Sequence, residues 1–204
     1  MDKSKQAITI YEKIAVDYAK KFTTLTDYFV DFAKLLPSRA KILDLGCGPG
    51  LEAVWLASKE YFVIGVDYSH EMIRLAKKRT SKVIFRHGDM RRANFPSGKF
   101  DALVLSYSLI HIPKKNIASL LRKTYSWLKK EGIIYVAIQA GRSQEVFLSE
   151  PFKPDEKIFL NILSQRELIE ALKDTGFSII KQFKRKAVCK EELGYTKFVV
   201  FAKK

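Results

Sequence analysis

The chain is poor in the residues that usually announce chemistry or special structure. It has two cysteines, three histidines and six prolines in 204 residues. Cys47 and Cys189 lie far apart and fit no zinc spacing. They read as free thiols, and no metal is expected. No apolar run approaches the ~20 residues that a membrane-crossing helix needs. The stretch Met1–Tyr11 is polar and carries no signal-peptide core, so a cytoplasmic location without a membrane partner is expected. Acidic residues are also scarce, with 22 Asp and Glu against 37 Lys and Arg, for a net charge of +15. The basic residues come in twos and threes, as at Lys77–Arg79 and Lys184–Lys186, never as one long tract. That spread fits general surface solubility better than a dedicated nucleic-acid footprint. No internal repeat, low-complexity segment or linker is visible, and the length fits one domain, as a monomer or homodimer.

What is present is organised around Lys41–Glu52. A short apolar run, Ile42-Leu43-Asp44-Leu45, breaks into glycines at alternate positions, Gly46, Gly48 and Gly50, and a helical pattern follows. Strand, glycine turn and helix is how an open α/β sheet offers main-chain N–H groups to a ligand. Glycine permits the unusual φ/ψ of the turn and a close approach of ligand to backbone. Cys47 fits inside this turn by its small size.

Along the chain, apolar periodicity predicts helix over residues 5–35, as one or two pieces ending at Pro37. Strands follow at about 40–45, 62–66, 83–86, 102–106 and 133–138, alternating with helices at 51–59, 70–80 and 114–128. Ser69 should cap the helix at 70. Residues 140–162, with Pro151 and Pro154, read as irregular. A capping box, Ser164-x-x-Glu167, opens a last helix, and two β-rich runs, 177–184 and 196–202, suggest an antiparallel pair. The fold class is α/β: a Rossmann-like, doubly wound sheet of seven strands, mostly parallel, with an antiparallel C-terminal edge pair. Residues 1–37 would form a helical lid, 38–139 the cofactor-binding core, and 140–204 a substrate segment with the last strands.

Ligands of such sheets sit beyond the C-terminal strand ends. Three of those ends carry Asp: Asp44, Asp67 and Asp89. Asp67 stands about 20 positions after Gly46, the offset at which an acidic residue accepts from a ribose diol. The glycine turn is not a dinucleotide fingerprint, because Leu51 replaces its third glycine and Glu52 stands where a pyrophosphate would sit. Nor does Leu51-Glu52-Ala53 supply a P-loop. An adenosine compound without phosphates, carrying positive charge, suits the three carboxylates.

Four motifs then stand in order: Asp44-Leu-Gly-Cys-Gly-Pro-Gly50, Gly65-Val-Asp67-Tyr-Ser69, Gly88-Asp89-Met90 and Phe100–Ser106. Together they resemble the class I S-adenosylmethionine-dependent methyltransferases of small-molecule type, over nearly the whole chain. The resemblance implies S-adenosyl-L-methionine as cofactor. Gly46, Cys47, Gly48 and Gly50 would pack on its methionine part, with Asp44 near the amino group. Asp67 would hold the ribose hydroxyls. Tyr68, Ser69 and Met72 would border the adenine, and Asp89 with Met90 would read its amino edge. Ser106, Tyr107 and Ser108 would lie beneath the sulfonium. Tyr11 and Tyr18 resemble the tyrosines of a lid helix, although both also fit the apolar stripe of a core-packed helix. His111, just past the fourth strand, is the candidate base, and a satisfied structural histidine is its alternative. Arg142, Tyr195, Phe152 and Phe159 are candidate acceptor-lining residues. After the fourth strand, Ser106-Tyr-Ser-Leu109 stands where amino-directed base methyltransferases carry an Asn/Asp-Pro-Pro-aromatic sequence. A small-molecule acceptor is therefore expected. An RNA methyltransferase drawing on the basic surface and a non-catalytic cofactor-binding module are the competing readings.

Overall fold

A computed structural model describes residues 3–204. The chain runs α1 (Lys3–Lys21), α2 (Phe29–Ala33), β1 (Lys41–Leu45), α3 (Leu51–Ser58), β2 (Phe62–Asp67), α4 (His70–Arg79), β3 (Ile84–His87) and β4 (Phe100–Ser106). It continues through α5 (Lys114–Trp127), β5 (Leu128–Ala140), β6 (Gln144–Glu150), β7 (Lys153–Ile162), α6 (Gln165–Thr175), β8 (Ser178–Arg185) and β9 (Thr196–Lys203). Seven strands form one sheet in the order β3-β2-β1-β4-β5-β9-β8. The first five are parallel, and β9 runs antiparallel to both β5 and β8.

Alternation along the strands divides the core into two layers. Leu43, Leu45, Leu103, Leu105, Ile134 and Val136 face α1, α5 and α6. Ile42, Ala102, Val104, Tyr135 and Phe201 face α2, α3 and α4. In the second layer Phe29, Phe32, Tyr135 and Phe201 interlock, with ring centroids 5.2–5.7 Å apart for Tyr135 against the other three. Each is fully buried, which contributes about 1.5–3 kcal/mol per side chain. These rings fix α2 against β5 and β9 on one face of the sheet.

One expectation needs correction. Residues 140–162 are not irregular. They form a separate antiparallel hairpin, β6–β7, in which Phe147 pairs with Phe159 and Val146 with Leu160. The prolines misled because both sit where no ladder N–H is needed: Pro151 in the turn, and Pro154 in the bulge where pairing jumps from Glu150–Lys153 to Ser149–Lys157. The helical stretch expected over 5–35 takes its two-piece form, α1 and α2. Tyr28 adopts φ 59, and the Thr26 amide leaves helical bonding to donate to the Glu52 carboxylate at 3.1 Å.

The hairpin supports α1. Lys3 pairs with Glu145 and Lys13 with Glu156, while the Phe159 amide donates to the Gln6 side-chain oxygen at 2.9 Å. Glu12 then bridges α1 to the sheet domain. Its carboxylate accepts from the His70 and Glu71 amides, at 2.6 and 3.0 Å, and so caps α4. The other caps follow the sequence: Ser69 accepts from Met72, and Ser164 and Glu167 form a full capping box. No helix among the described residues is long and apolar enough to cross a membrane.

Candidate active site

The site lies at the C-terminal ends of β1, β2 and β4, beneath α1. The turn after β1 is made by left-handed residues, with φ 76 at Gly46, 52 at Gly48 and 82 at Gly50. A side chain at Gly46 would meet the Ser108 Cβ at 2.3 Å, so only glycine lets β1 and the segment after β4 close together. At Gly48 a Cβ would meet nothing within 4 Å. That position faces open space, and its backbone is available to a ligand.

Asp67 closes the turn. The Gly48 amide donates to its Oδ2 at 2.8 Å and the Ser69 amide to its Oδ1 at 2.9 Å. Each oxygen keeps a second lone pair. Burial pushes the Asp67 carboxyl up from its ordinary value, and the amides from Ser69, Gly48 and Tyr68 oppose that shift. Asp44 is 1% exposed, and its Oδ2 has no hydrogen-bond partner among the described residues. Burial and the neighbouring Glu52 and Asp67 carboxylates raise its carboxyl well above the usual range. Asp89 is held by Arg91, whose guanidinium donates to both carboxylate oxygens at 2.7–3.0 Å. Arg91 carries no sequence signature that would have marked it.

Two adjoining cavities occupy this region, with empty volumes of about 720 and 1250 Å³. The first is lined by Gly46, Gly48, Asp67, Tyr68, Met72, Asp89 and Met90. The second is bordered by Asp44, Cys47 and Phe152. Tyr11, Tyr18, Gly46, Gly48, Ser106, Tyr107 and His111 line both, so the two are parts of one cleft. The sequence therefore named most of the residues that converge here. Gly50 and Ser69 line neither cavity. Gly50 packs against Phe85 and Ala76 beneath α3, and the Ser69 hydroxyl is spent on the α4 cap. Arg142, Phe159 and Tyr195 do not line the acceptor side either. Phe159 is fully buried and Tyr195 packs against Gly141, whereas Phe152 does border the cavity.

Past β4, His111 ends a single 3-10 turn, Leu109–His111. Its Nδ1 lies 3.2 Å from the Phe159 carbonyl, an acceptor, so Nδ1 carries the proton. Its Nε2 therefore accepts from the Tyr11 hydroxyl at 3.0 Å. Burial lowers its pKa to about 4. A neutral imidazole whose lone pair is already engaged is a weak base, and its contacts make it a tie between α1 and β7. Tyr11 also meets Tyr18 edge-on, with centroids 5.6 Å apart.

Sequence reasoning missed the network at the cavity wall. The Thr26 hydroxyl lies 2.6 Å from the Ser106 Oγ and donates to Glu52 at 2.5 Å. It missed Lys197 and Arg185 as well, since the first turns of a late strand pair carry no motif. Among the described residues no group of three His, Cys, Asp or Glu is placed to hold a metal ion.

Comparisons with known proteins agree with this geometry. Residues 42–132 match a family model described as a methyltransferase domain. An uncharacterised protein of Methanocaldococcus jannaschii is 31% identical over 181 residues, covering 85% of this chain and 83% of that protein. A Bacillus subtilis protein with the provisional name methyltransferase YqeM is 33% identical over 128 residues, or 60% of this chain. The match spans about half of that relative, 52%. Among solved structures, a SAM-dependent methyltransferase from Methanosarcina mazei superposes with a TM-score of 0.77 at 22% identity, covering 88% of this chain and 98% of that one.

Proposed function

Because the chain belongs to the class I S-adenosylmethionine-dependent methyltransferases, we propose that it methylates a small-molecule acceptor held in the second cavity. Its cofactor is S-adenosylmethionine, and the residues present fit that molecule. Asp44 offers a buried, unpartnered carboxylate oxygen to the cationic amino group. Gly48 leaves open space against its main chain. Asp67 has lone pairs free for two ribose hydroxyls after serving the Gly48 and Ser69 amides. When bound, the cofactor supplies an electrophilic methyl group on a sulfonium.

The protein's part is to align the acceptor in line with that methyl and to exclude water. The observation that carries the small-molecule reading is the second cavity itself. It continues the cofactor cleft and is closed over by Tyr11, Tyr18, Phe22 and Phe152 from α1, the loop after it and the β6–β7 turn. An aromatic enclosure of that size suits a compact acceptor, whereas a nucleic acid calls for an open basic groove.

Thermal melting tests the assignment. S-adenosylmethionine is expected to raise the melting temperature, and NAD is not. A neutral result with both would remove the cofactor assignment from this chain. RNA binding with a steep salt dependence would instead favour the RNA-directed reading. Tight cofactor binding without turnover over a broad acceptor panel would favour a binding module.

A further inference from the structure

Lys197 lies on β9 opposite Gln139 of β5 and Arg185 of β8, so all three residues share one row and one face of the sheet. That row borders the second cavity. Lys197 is only 4% exposed. Its Nζ reaches the Glu192 carbonyl at a long 3.4 Å and lies 4.8 Å from the centroid of the Tyr107 ring. A buried ammonium normally demands better compensation than that.

The groups around it are also short of partners. The Tyr107 hydroxyl and the Gln139 Oε1 are buried without hydrogen bonds among the described residues. Tyr107 holds φ 51, a conformation that strains a non-glycine residue and that clusters at functional sites. By contrast, the carboxylates of this cavity other than Asp44 are engaged. Asp27 and Glu192 bind Arg185, with contacts of 2.6–2.9 Å. Glu191 pairs with Lys21, Glu150 accepts from the Phe152 and Lys153 amides, and Glu52 serves Thr26. Asp44 also lines this cavity with an unpartnered Oδ2, but it is not among the charges that act on Lys197. Of Arg185 and Lys197, the cations that line this cavity among the described residues, Arg185 has its charge matched by ion pairs and Lys197 does not.

Resting on the small-molecule reading above, we infer that Lys197 and the Tyr107 hydroxyl form a subsite for an acidic oxygen of the acceptor, a carboxylate or a phenolate on a flat apolar body. Lys197 supplies the charge. The Tyr107 hydroxyl supplies a hydrogen bond that the protein alone leaves unmade. The aromatic wall of Tyr18, Phe22 and Phe152 takes the apolar body. Glu192, Arg185, Cys189 and Asp27 are the ionisable groups that act on Lys197. Burial, with Arg185 acting in the same direction, outweighs Glu192, Cys189 and Asp27 and brings its pKa down to about 8. At pH 7 the ammonium form is thus present and costly, and an anion beside it relieves that cost.

The test uses the full chain saturated with S-adenosylhomocysteine, titrated calorimetrically at pH 7 with benzoate and with its uncharged isostere benzamide. Benzoate is expected to bind at least tenfold more tightly. Lys197→Met should weaken benzoate tenfold or more and leave benzamide within twofold, and Lys197→Gln should behave alike. In wild-type protein the NMR signal of the Lys197 side chain should titrate to a higher pKa when benzoate is present. Benzoate binding no tighter than benzamide, or unaffected by both substitutions, overturns the inference. The wild-type comparison needs no variant, so a poorly folding Lys197→Met does not rescue the idea. Failure of S-adenosylhomocysteine to bind sinks the proposed function and takes this subsite with it. Normal cofactor binding with no preference for benzoate sinks the subsite alone.

Discussion

Gly46 and Lys197 face the same cleft, and they got there in different ways. The cofactor side is made within a short span of sequence, by a turn whose glycines, amides and one carboxylate all derive from the β1–β2 unit. The acceptor side is assembled from five separated segments: the loop after α1, the ends of β4 and β5, the β6–β7 turn and the start of β9. Main-chain groups dominate the first side, and long side chains dominate the second. A main-chain cradle tolerates few substitutions and holds one kind of ligand. A side-chain cavity can change its occupant by changing Lys197 or Phe152 without disturbing the sheet.

The strongest way to break this contrast is at Gly46. An alanine there would place its Cβ 2.3 Å from the Ser108 Cβ and force a left-handed φ of 76. The expected loss is about 3 kcal/mol or more, from overpacking together with αL strain. Urea denaturation measures it directly. Gly48→Ala meets no atom within 4 Å and should cost only about 1–2 kcal/mol of stability. Its cofactor affinity should nevertheless fall, because the new methyl points into the space reserved for the ligand. Equal stability losses at the two glycines would contradict the division between packing and binding.

Asp67 is next. Asp67→Ala removes the acceptor of the Gly48 and Ser69 amides and the two remaining lone-pair sites. S-adenosylhomocysteine affinity should drop about tenfold or more, since one charge-assisted hydrogen bond is worth roughly 1.5–3 kcal/mol. Lys197→Met should leave that affinity within about twofold, because the lysine belongs to the other half of the cleft. Calorimetry on the two variants, side by side, decides whether the halves are energetically separate.

The same contrast explains what could be read from the sequence. The cradle was legible because its parts are local: Asp44, the three glycines and Asp67 stand at fixed spacing within one βαβ unit. Gly50 and Ser69 share the motif yet lie behind the cleft, because a motif records the turn and not which way each group points. The hairpin at 144–162 was hidden by two prolines that fall in its turn and its bulge. Lys197 was invisible for a different reason. A lysine in a β-rich run reads as solvated surface, and only the pairing of β9 between β5 and β8 buries it against Tyr107. Strand order, a long-range property, decided that.

Acidity offers a further test. His111 is buried and neutral, with a folded pKa of about 4 against an ordinary 6.5. Between those values the unfolded chain binds more protons than the folded one, so stability should rise with pH across that window and be lost as pH falls through it. His111→Gln should flatten the dependence between about pH 6.5 and 4. If wild type and variant lose stability in parallel there, His111 is not the group being titrated.

The smallest effect is expected at Tyr11, and it separates two roles for α1. The Tyr11 hydroxyl donates to His111 Nε2 at 3.0 Å, and its ring packs edge-on against Tyr18 and His111. Tyr11→Phe keeps the rings and removes one hydrogen bond, leaving Nε2 unsatisfied in a buried place. The cost should be about 1 kcal/mol of stability. If α1 merely packs on the core, cofactor affinity should not change. If Tyr11 also closes over the cofactor, affinity should fall several-fold beyond what the stability loss explains. The second outcome is expected here, because Tyr11 lines both cavities and Glu12, one residue on, latches α1 to the first amides of α4. A helix tied at that point has its aromatic face fixed above the junction of the two halves, so even one lost hydroxyl should register in both.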